Sequence, residues 1–476
     1  MSKKQYVHLA IMLVLTVLIG CCPPFGAVTS YGMRALGVFI GVLYGWMTID
    51  LIWPSLFGFV AIAIFGIMDT TSALSVGFGN EQLVQVLSVM VMAGALDRLG
   101  VTRMLANWMV TRKIFRKNPW FLICGLIFSS YFLGVFGAAI AGIMLLWGVV
   151  TQIAEEAHLG QENRLVTFMV MMITAANFYG MFSLPFHATA MIFLGYFIDT
   201  TGMNYATASF ILVAGVTSIL LLLVMILIAR FVFRIDASTF VMPEETIKRI
   251  ESEHAEKPAK IGFTVLVIYM MALILPSTWE NMPGAGVLNM LGIGGCSLVA
   301  MIVLAAISVQ GKPMFSLAKT WTSYVEWPLI LLLAVTFPIA EAIRADEAGI
   351  MPTVAGLVIP IVSKMGLMTF MIIVTVLLGV LTQFTHNIVL AALFVPFLIP
   401  LCIQMGGNPF VLFMMIFISL NSSYMTPAAS FQSAMVHAHK GTSVKWNYIY
   451  GATISVVAWI ILIVVTVPLG NALFVY

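Results

Sequence analysis

The most constraining feature of this chain is a pair of broken apolar segments, one in each half of the sequence. The first break lies at residues 136–140 and the second at 384–388, and each continues as an apolar stretch, to about Glu155 and Ile403. A helix broken inside lipid leaves backbone groups unpaired, which is tolerated only where they are buried or line a polar cavity. Matched breaks in two halves therefore predict a binding site where they meet, near the bilayer midplane.

The composition is that of a membrane-embedded protein. Of the 476 residues, 61% are hydrophobic and only 9% are charged, and the mean hydropathy is +1.07. The net charge of +3 and the lack of a long basic run indicate that nucleic acid is not a partner. The five cysteines lack metal-ligand spacing and are expected to be free thiols. Catalytic and nucleotide-binding motifs are missing, so we expect neither an enzyme nor a cofactor.

Apolar stretches of roughly 20 residues predict an all-α polytopic protein with about eleven transmembrane helices and two re-entrant hairpins. We place the helices at 7–22, 33–50, 51–68, 82–109, 164–198, 205–233, 261–277, 287–308, 326–346, 409–436 and 447–470. We place the hairpins at 119–154 and 366–404.

The order of span, break and span occurs twice and predicts an inverted-topology repeat. An N-terminal helix within residues 1–32 precedes a first repeat at 33–233. A charged cytoplasmic loop at 234–260 separates it from a second repeat at 261–476. Because each repeat has an odd number of spans, the second repeat enters the membrane from the opposite side.

The basic residues predict the orientation. With this layout, all but three of the 22 Lys and Arg residues fall on one side of the membrane, the exceptions being Arg34, Arg344 and Lys364. The positive-inside rule assigns that side to the cytoplasm. The N-terminus is therefore expected inside and Tyr476 outside, provided that both hairpins return to the side they entered from.

The second tip carries polar side chains inside an apolar run. Thr385, His386 and Asn387 lie where polar groups are costly and usually functional. The other interpretation is an interhelical hydrogen bond that only stabilises packing. Amide and hydroxyl oxygens can coordinate a cation, and amide and hydroxyl protons can be donated to an anion. A helix that starts after the tip directs its N-terminal dipole to the same place.

The first tip is different. Phe136 falls against Phe384, so the tip reads Gly137-Ala138-Ala139 and has no side-chain ligand. Only backbone carbonyl and N–H groups are available there. This half of the chain either binds through its backbone or lacks an ion site.

A proline-interrupted polar stretch follows each hairpin. Helix 164–198 contains Pro185 and helix 409–436 contains Pro427, and each proline frees backbone carbonyls by removing a donor. These stretches provide further candidate ligands, namely His187, Thr189, Thr426, Ser430 and Ser433.

Several ionisable residues lie within or at the ends of predicted spans. His187 and His386 are either packed neutral histidines or contacts for ligand or protons. Glu341 could be embedded, Glu326 is expected at the interface, and Asp97 is expected to be structural.

Three stretches resemble the divalent anion:sodium symporters of the ion-transporter superfamily, which have a Ser-Asn-Thr tip in each hairpin and a Thr/Pro-rich break in the following helix. His386-Asn387-Ile388, followed by Pro396, resembles the second tip, with Asn387 in the place of the family's Asn. Tyr424 to Ser430 resembles the second break, and His187 to Ala190 is a weaker match to the first. The first tip lacks the family's Asn and hydroxyl groups.

The resemblance implies an elevator-type secondary transporter of a small organic anion, most often a di- or tricarboxylate. It also implies a homodimer in a cell membrane, such as a bacterial inner membrane, and coupling to sodium; protons are the other possible coupling ion. Together with the residue analysis it predicts a substrate site of His187, Thr189, His386, Asn387, Ser430 and Ser433. It predicts a cation site of Gly137, Ala139, Thr385, Asn387 and Thr426.

Two alternatives remain at this stage. A cation or arsenite-type permease of the same superfamily would need embedded carboxylates, for which Glu341 is the candidate. A membrane-embedded enzyme or receptor would need a catalytic pair or an extramembrane ligand domain. The longest loop, 234–260, is too short and too charged for such a domain.

Overall fold

The computed structural model describes residues 3–112, 118–137, 140–160, 162–242, 248, 256–279, 282–309, 311–353, 356, 360, 365–427 and 429–474. The described chain is almost entirely helical. Its α-helices are α1 (Lys3–Gly20), α2 (Ser30–Thr48), α3 (Ile52–Ile64), α4 (Thr70–Phe78), α5 (Glu81–Arg98), α6 (Val101–Val110), α7 (Pro119–Val135), α8 (Ile140–Glu156), α9 (Arg164–Phe182), α10 (Ala188–Thr201), α11 (Thr207–Leu227), α12 (Lys257–Thr278), α13 (Ala285–Ala306), α14 (Leu317–Tyr324), α15 (Trp327–Arg344), α16 (Leu367–Leu381), α17 (Asn387–Gln404), α18 (Pro409–Asn421), α19 (Phe431–Ala438), α20 (Val444–Ile461) and α21 (Val467–Leu473).

Short elements of other kinds complete the description. A π-helical turn, Ile228–Val232, extends α11, and another, Leu462–Thr466, joins α20 to α21. A 3-10 turn lies at Asp346–Ala348. Two-residue strands pair antiparallel, Ser308–Val309 with Lys312–Pro313.

At each predicted hairpin and each predicted helix break, the described chain has two helices separated by an interruption. That the hairpins are re-entrant stays a prediction. We call α7 and α8 the first hairpin, and α9 and α10 the first broken helix. Likewise, α16 and α17 are the second hairpin, and α18 and α19 the second broken helix. In each half, the first arm of the hairpin packs against the first part of the broken helix.

Several of these helices begin with the same local chemistry. Asn118, Asn163 and Asn408 each cap a helix by accepting a hydrogen bond from a backbone N–H of the first turn. Proline follows immediately at Pro119 and Pro409, where its missing N–H costs nothing. The Asn-Pro pairs therefore fix where α7 and α18 begin.

Seven of the described helices are long and apolar enough to cross a bilayer, or eight if the bent pair α5 and α6 forms one span. Five further apolar helices are shorter, among them α7 and α16, the first arms of the hairpins. The total of eleven spans stays a prediction.

Three local features differ from the expected layout. The helix expected at 82–109 is bent by 64° between α5 and α6, where Gly100 has a φ of +77°. A left-handed backbone of this kind is readily adopted only by glycine, so the bend is encoded in the sequence. The short helices α4 and α14 were not expected, because they are shorter than a membrane span.

The two halves interlock around the breaks. α10 packs against α17, so the first broken helix contacts the second hairpin. The Tyr179 hydroxyl lies 2.6 Å from the Ser422 hydroxyl, and the Phe182 and Phe417 rings meet edge to face at 5.5 Å. These contacts are fully buried. On the other side, α14 crosses α5 at Gly94, where a Cβ would overlap the ring of Tyr324.

Candidate functional site

A cavity of about 460 Å³ lies where the hairpin tips and helix breaks of both halves meet. One wall is formed by the hairpins and broken helices, and the facing wall by α5, α14 and the start of α15. The cavity is lined by Leu51, Val89, Met90, Ala93, Gly94, Asp97, Gly137, Ile140, Phe178, Met181, Phe182, His187, Ala188, Thr189, Tyr324, Glu326, Pro328, Leu329, His386, Asn387, Ile388, Asn421, Ser430 and Gln432. This volume is in the range of small-molecule sites.

The second tip presents the beginning of a helix to this cavity. Asn387 is the first residue of α17, and its Nδ2 donates to Asn421 Oδ1 at 2.7 Å. Its Oδ1 accepts from the backbone N–H of Ile388 at 2.9 Å. His386 is the N-cap, and its Nδ1 accepts from the same N–H at 3.3 Å. The tip amide therefore fixes the second hairpin to the second broken helix at the edge of the cavity.

The first half reaches the cavity through Gly137 and His187. Gly137 has a φ of +82°, which turns the chain at the end of α7. His187 Nε2 lies 3.2 Å from the carbonyl oxygen of Val135, a distance suited to donation of the ring N–H. The imidazole thus joins the first break to the first hairpin, and Thr189 follows it on the cavity wall.

The facing wall contains the carboxylates. Asp97 is half-buried and accepts a hydrogen bond from the Tyr324 hydroxyl at 2.8 Å. Glu326 is exposed and occupies the N-cap position of α15 without a side-chain capping hydrogen bond. Among the described lining residues, none is Lys or Arg. The hairpin wall supplies neutral groups and histidines, whereas the facing wall supplies negative charge.

The structure brings most of the predicted substrate residues together. His187, Thr189, His386, Asn387 and Ser430 all line the cavity, as does Gly137 from the predicted cation set.

The remaining predicted residues lie elsewhere. Ser433 is fully buried, and its hydroxyl donates to the Thr426 carbonyl at 2.7 Å. The Thr426 hydroxyl donates to the carbonyl of Gln383. Neither lines the cavity, and neither does Thr385. Ala139 lies outside the described residues.

Sequence reasoning missed the wall formed by Asp97, Tyr324 and Glu326. Asp97 was assigned a structural role, and its bond to Tyr324 agrees with one, but the residue also lines the cavity. The signal that could have found it is the Leu-Gly pair at 99–100, since a helix break beside an acidic residue suggests a cavity. Glu341, the expected embedded carboxylate, is exposed and does not line the cavity.

The cavity does not resemble a transition-metal centre. Among the described residues, no group of three or more His, Cys, Asp or Glu side chains is placed to hold a metal ion. The hydroxyl, amide and carbonyl oxygens of the tips and breaks are the kind of ligand that hard cations prefer.

Comparison with known proteins decides the class of the protein. Residues 35–345, more than half of the chain, match the family model described as citrate transporter, CitMHS. The chain belongs to this citrate transporter family. The match confirms the prediction of a multi-pass membrane transporter rather than an enzyme, and it confirms the resemblance to anion transporters of the ion-transporter superfamily.

One curated relative and one solved structure are similar to this chain over nearly its whole length. The sodium-dependent dicarboxylate transporter SdcS of Staphylococcus saprophyticus is 19% identical over 449 residues, which is 91% of this chain and 85% of the relative. The solved structure of the Alcanivorax borkumensis YdaH transporter, described as having an unusual topology, matches with a TM-score of 0.55 and 16% identity, covering 97% of this chain and 98% of that one. At this identity the structural match shows a shared fold.

Proposed function

We propose that this member of the citrate transporter family is a secondary active transporter of a di- or tricarboxylate, which binds in the cavity between the hairpin tips and the α5–α14–α15 wall. The observation that carries the proposal is the composition of that cavity. Amide, hydroxyl and imidazole groups and the N-terminus of α17 can all donate to carboxylate oxygens. The family description and the dicarboxylate-transporting relative support the same substrate class.

The charge of the cavity supports co-transport with cations. An anion there would face Asp97 and Glu326 without a Lys or Arg among the described lining residues. Positive charge must therefore enter with the substrate, as sodium ions or as protons, to offset the repulsion. The sodium dependence in the name of the relative SdcS supports sodium as one such ion.

The movement that we propose is an elevator motion. The hairpins and broken helices interlock through α10 with α17 and through Tyr179 with Ser422, so they can move as one body. The α5–α14–α15 wall belongs to the other body. Sliding the first body along the second would carry the cavity across the bilayer.

Uptake into proteoliposomes tests the substrate and the coupling together. Labelled citrate and succinate should accumulate when a sodium or a proton gradient is imposed, with each gradient applied separately. Liposomes without protein and an Asn387→Ala variant are the controls. Failure of both gradients to drive uptake of any di- or tricarboxylate would reject the proposal.

Asp97 and Glu326 also suit a second candidate, a cation permease, because such a protein needs carboxylates at its cavity. The same liposomes distinguish the two candidates. A permease would move the cation with no carboxylate present, whereas a symporter would require both.

The assembly and the orientation are proposed on the resemblance and on the distribution of basic residues. We propose a homodimer in a bacterial inner membrane, with the N-terminus in the cytoplasm. Molecular mass in detergent tests the dimer. Cysteines introduced at the exposed residues Gln404 and Lys440 of a cysteine-free variant should be labelled from opposite sides. Labelling of both from one side would contradict the inverted repeat.

A further inference from the structure

One buried glutamine joins three helical elements beside the second tip. Gln383 is 3% exposed and lies between the two arms of the second hairpin. Its Nε2 donates to the carbonyls of Gly379 at 2.9 Å and Ser422 at 3.3 Å, and lies 3.2 Å from the Ser455 hydroxyl of α20. Its Oε1 accepts from the backbone N–H of Met425 at 3.0 Å. The hairpin, the second break and α20 are thus held by one amide.

The orientation of this amide is unique. Its donor side faces the carbonyls of Gly379 and Ser422, and its acceptor side faces the N–H of Met425. A flipped amide would place its oxygen against the carbonyl oxygens of Gly379 and Ser422 and its N–H against the N–H of Met425, so these three bonds would become repulsions. Only a group with a donor and an acceptor at fixed places can serve here.

A chain of hydrogen bonds leads from Gln383 to the cavity. The Thr426 hydroxyl donates to the backbone carbonyl of Gln383, and the Ser433 hydroxyl donates to the backbone carbonyl of Thr426 at 2.7 Å. The backbone N–H of Ser433 donates to the Ser430 hydroxyl at 3.2 Å. Ser430 lines the cavity, whereas Gln383 does not.

We propose that Gln383 is a positioning residue for transport. It holds the second tip at a fixed separation from the far side of the second break, the stretch that leads into α19. The tip contributes His386 and Asn387 to the cavity, and the far side of the break contributes Ser430 and Gln432. An anion that contacts both sides is bound well only while their separation is fixed. This inference rests on the proposed function, because it assigns Gln383 to the same cavity.

The first half has no glutamine at the corresponding place. With Phe136 aligned to Phe384, the residue that corresponds to Gln383 is Val135. Its backbone carbonyl is paired with the ring of His187, which comes from the broken helix. In the first half the connecting side chain therefore belongs to the broken helix, whereas in the second half it belongs to the hairpin.

Two substitutions test this role by transport. Gln383→Leu keeps the size of the side chain but removes both the donor and the acceptor. Gln383→Glu keeps the acceptor for Met425, and only its protonated form can donate to the carbonyls. We expect a KM for carboxylate at least about tenfold higher in Gln383→Leu, with expression and monodispersity retained. For Gln383→Glu, uptake relative to wild type should rise as the pH is lowered.

Gln82→Leu is the matched control. Gln82 is 8% exposed, does not line the cavity, and its Oε1 has no hydrogen-bond partner among the described residues. We expect its KM and its pH profile to follow wild type. The positioning role would be overturned if Gln383→Leu had the KM of the wild type and if uptake by Gln383→Glu, relative to wild type, did not change with pH. A purely structural role would lower protein yield while leaving KM unchanged, and would also overturn it.

A distance measurement separates this inference from the proposed function, because it needs no substrate. Spin labels on Phe384→Cys and Ala438→Cys, in a variant without the native cysteines, report the separation of the tip from α19. Both positions are exposed. We expect a broader distance distribution with Gln383→Leu and an unchanged one with Gln82→Leu. An unchanged distribution with Gln383→Leu would reject the inference, whereas absent carboxylate uptake by the wild type would reject only the proposed function.

Discussion

Side-chain hydrogen bonds join both hairpins to their broken helices, but in the first half glycines also bring the helix backbones into direct contact. In the first half, a Cβ at Gly134 would overlap the carbonyl oxygen of Asn177. A Cβ at Gly180 would likewise overlap the carbonyl oxygen of Tyr131. Glycine at both places lets α7 and α9 approach more closely than any side chain would allow.

Both halves also use hydroxyl groups at this contact. In the first half, the Ser130 hydroxyl donates to the Ile173 carbonyl at 2.6 Å and the Tyr131 hydroxyl donates to the Ser183 hydroxyl at 2.9 Å.

The second half has bonds of the same kind. The Ser419 hydroxyl donates to the Thr375 carbonyl at 2.8 Å, and the Thr382 hydroxyl donates to the Leu420 carbonyl at 2.9 Å. Gly379 also lies at this contact, but a Cβ there would meet the side chains of Trp459 and Ser419 rather than backbone.

The two breaks differ in polarity. The first runs through Leu184, Pro185 and Phe186, whereas the second contains Ser422, Ser423 and Thr426. The first break is therefore mainly apolar, whereas the second is polar. Since hydrogen-bond donors and acceptors provide specificity in a small-molecule site, the second half is expected to contribute more to substrate recognition.

The largest expected effect comes from the glycine contacts. Gly180→Ala should prevent folding, or destabilise the protein by about 3 kcal/mol, because helix backbones cannot move apart without loss of packing. Gly379→Ala should cost less, because side chains can rotate away. Gly148→Ala, with nothing within 4 Å of its added Cβ, is the control. Thermal unfolding in detergent measures all three, and equal losses for Gly180→Ala and Gly379→Ala would remove the proposed difference between the halves.

The next effect concerns the second tip. Asn387→Ala removes the donor to Asn421 and a group on the cavity wall. Uptake should fall by about a hundredfold while the protein remains folded, because a buried acceptor is left unpaired in the site. Normal uptake by this variant would reject the site. Conversely, we expect Ala139→Asn to add a side-chain ligand to the first tip and to increase the sodium dependence of uptake.

The hairpins and the breaks could be predicted from the sequence because both interrupt apolar runs. Pro185 and Pro427 mark the breaks, and most predicted substrate residues then meet at one cavity because they flank these interruptions. The facing wall could not be predicted in the same way. Asp97 and Tyr324 are separated by 227 residues, and the pattern along the chain contains no information on which helices cross.

Gln383 shows the same limit of sequence-based prediction, although it lies next to the predicted tip. Its place beside the tip could be read from the sequence, but its partners on the second break and on α20 could not. From the sequence alone, a polar residue next to a predicted site is interpreted as a ligand-binding residue, because its packing partners are not known. In this chain Gln383, Thr426 and Ser433 bind backbone carbonyls or N–H groups instead.

The third prediction compares the two histidines at the cavity. His386 accepts through Nδ1 from the N–H of Ile388, which also donates to Asn387 Oδ1, so protonation of His386 Nδ1 leaves that N–H satisfied. We expect uptake to depend on pH between about 5 and 8, the range in which histidine changes charge. His386→Gln should flatten this dependence more than His187→Gln does. A steep dependence on two or more sodium ions that is unaffected by His386→Gln would contradict proton coupling here.

The smallest expected effect concerns the contact between the first broken helix and the body to which the α5–α14–α15 wall belongs. Arg344, at the end of α15, forms an ion pair with Asp199, near the end of α10, at 2.6 Å, and its other Nη donates to Thr200 at 3.2 Å. The two charged side chains are 21% and 24% exposed. A pair this accessible contributes at most about 1 kcal/mol, so Arg344→Gln should barely change the unfolding midpoint.

Transport should respond more clearly than stability to the loss of this pair. If α10 slides past α15 during an elevator motion, the ion pair must break in each cycle. Arg344→Gln would then destabilise the state seen here and raise the maximal uptake rate, by no more than about fivefold. Arg34→Gln is the control, because Arg34 donates to the Phe65 carbonyl at 2.8 Å between α2 and the end of α3, away from α10. The charge-exchanged pair Asp199→Arg with Arg344→Asp should restore the wild-type rate. An unchanged rate in Arg344→Gln would mean that this contact persists through the cycle, and that the first half moves together with α15 rather than past it.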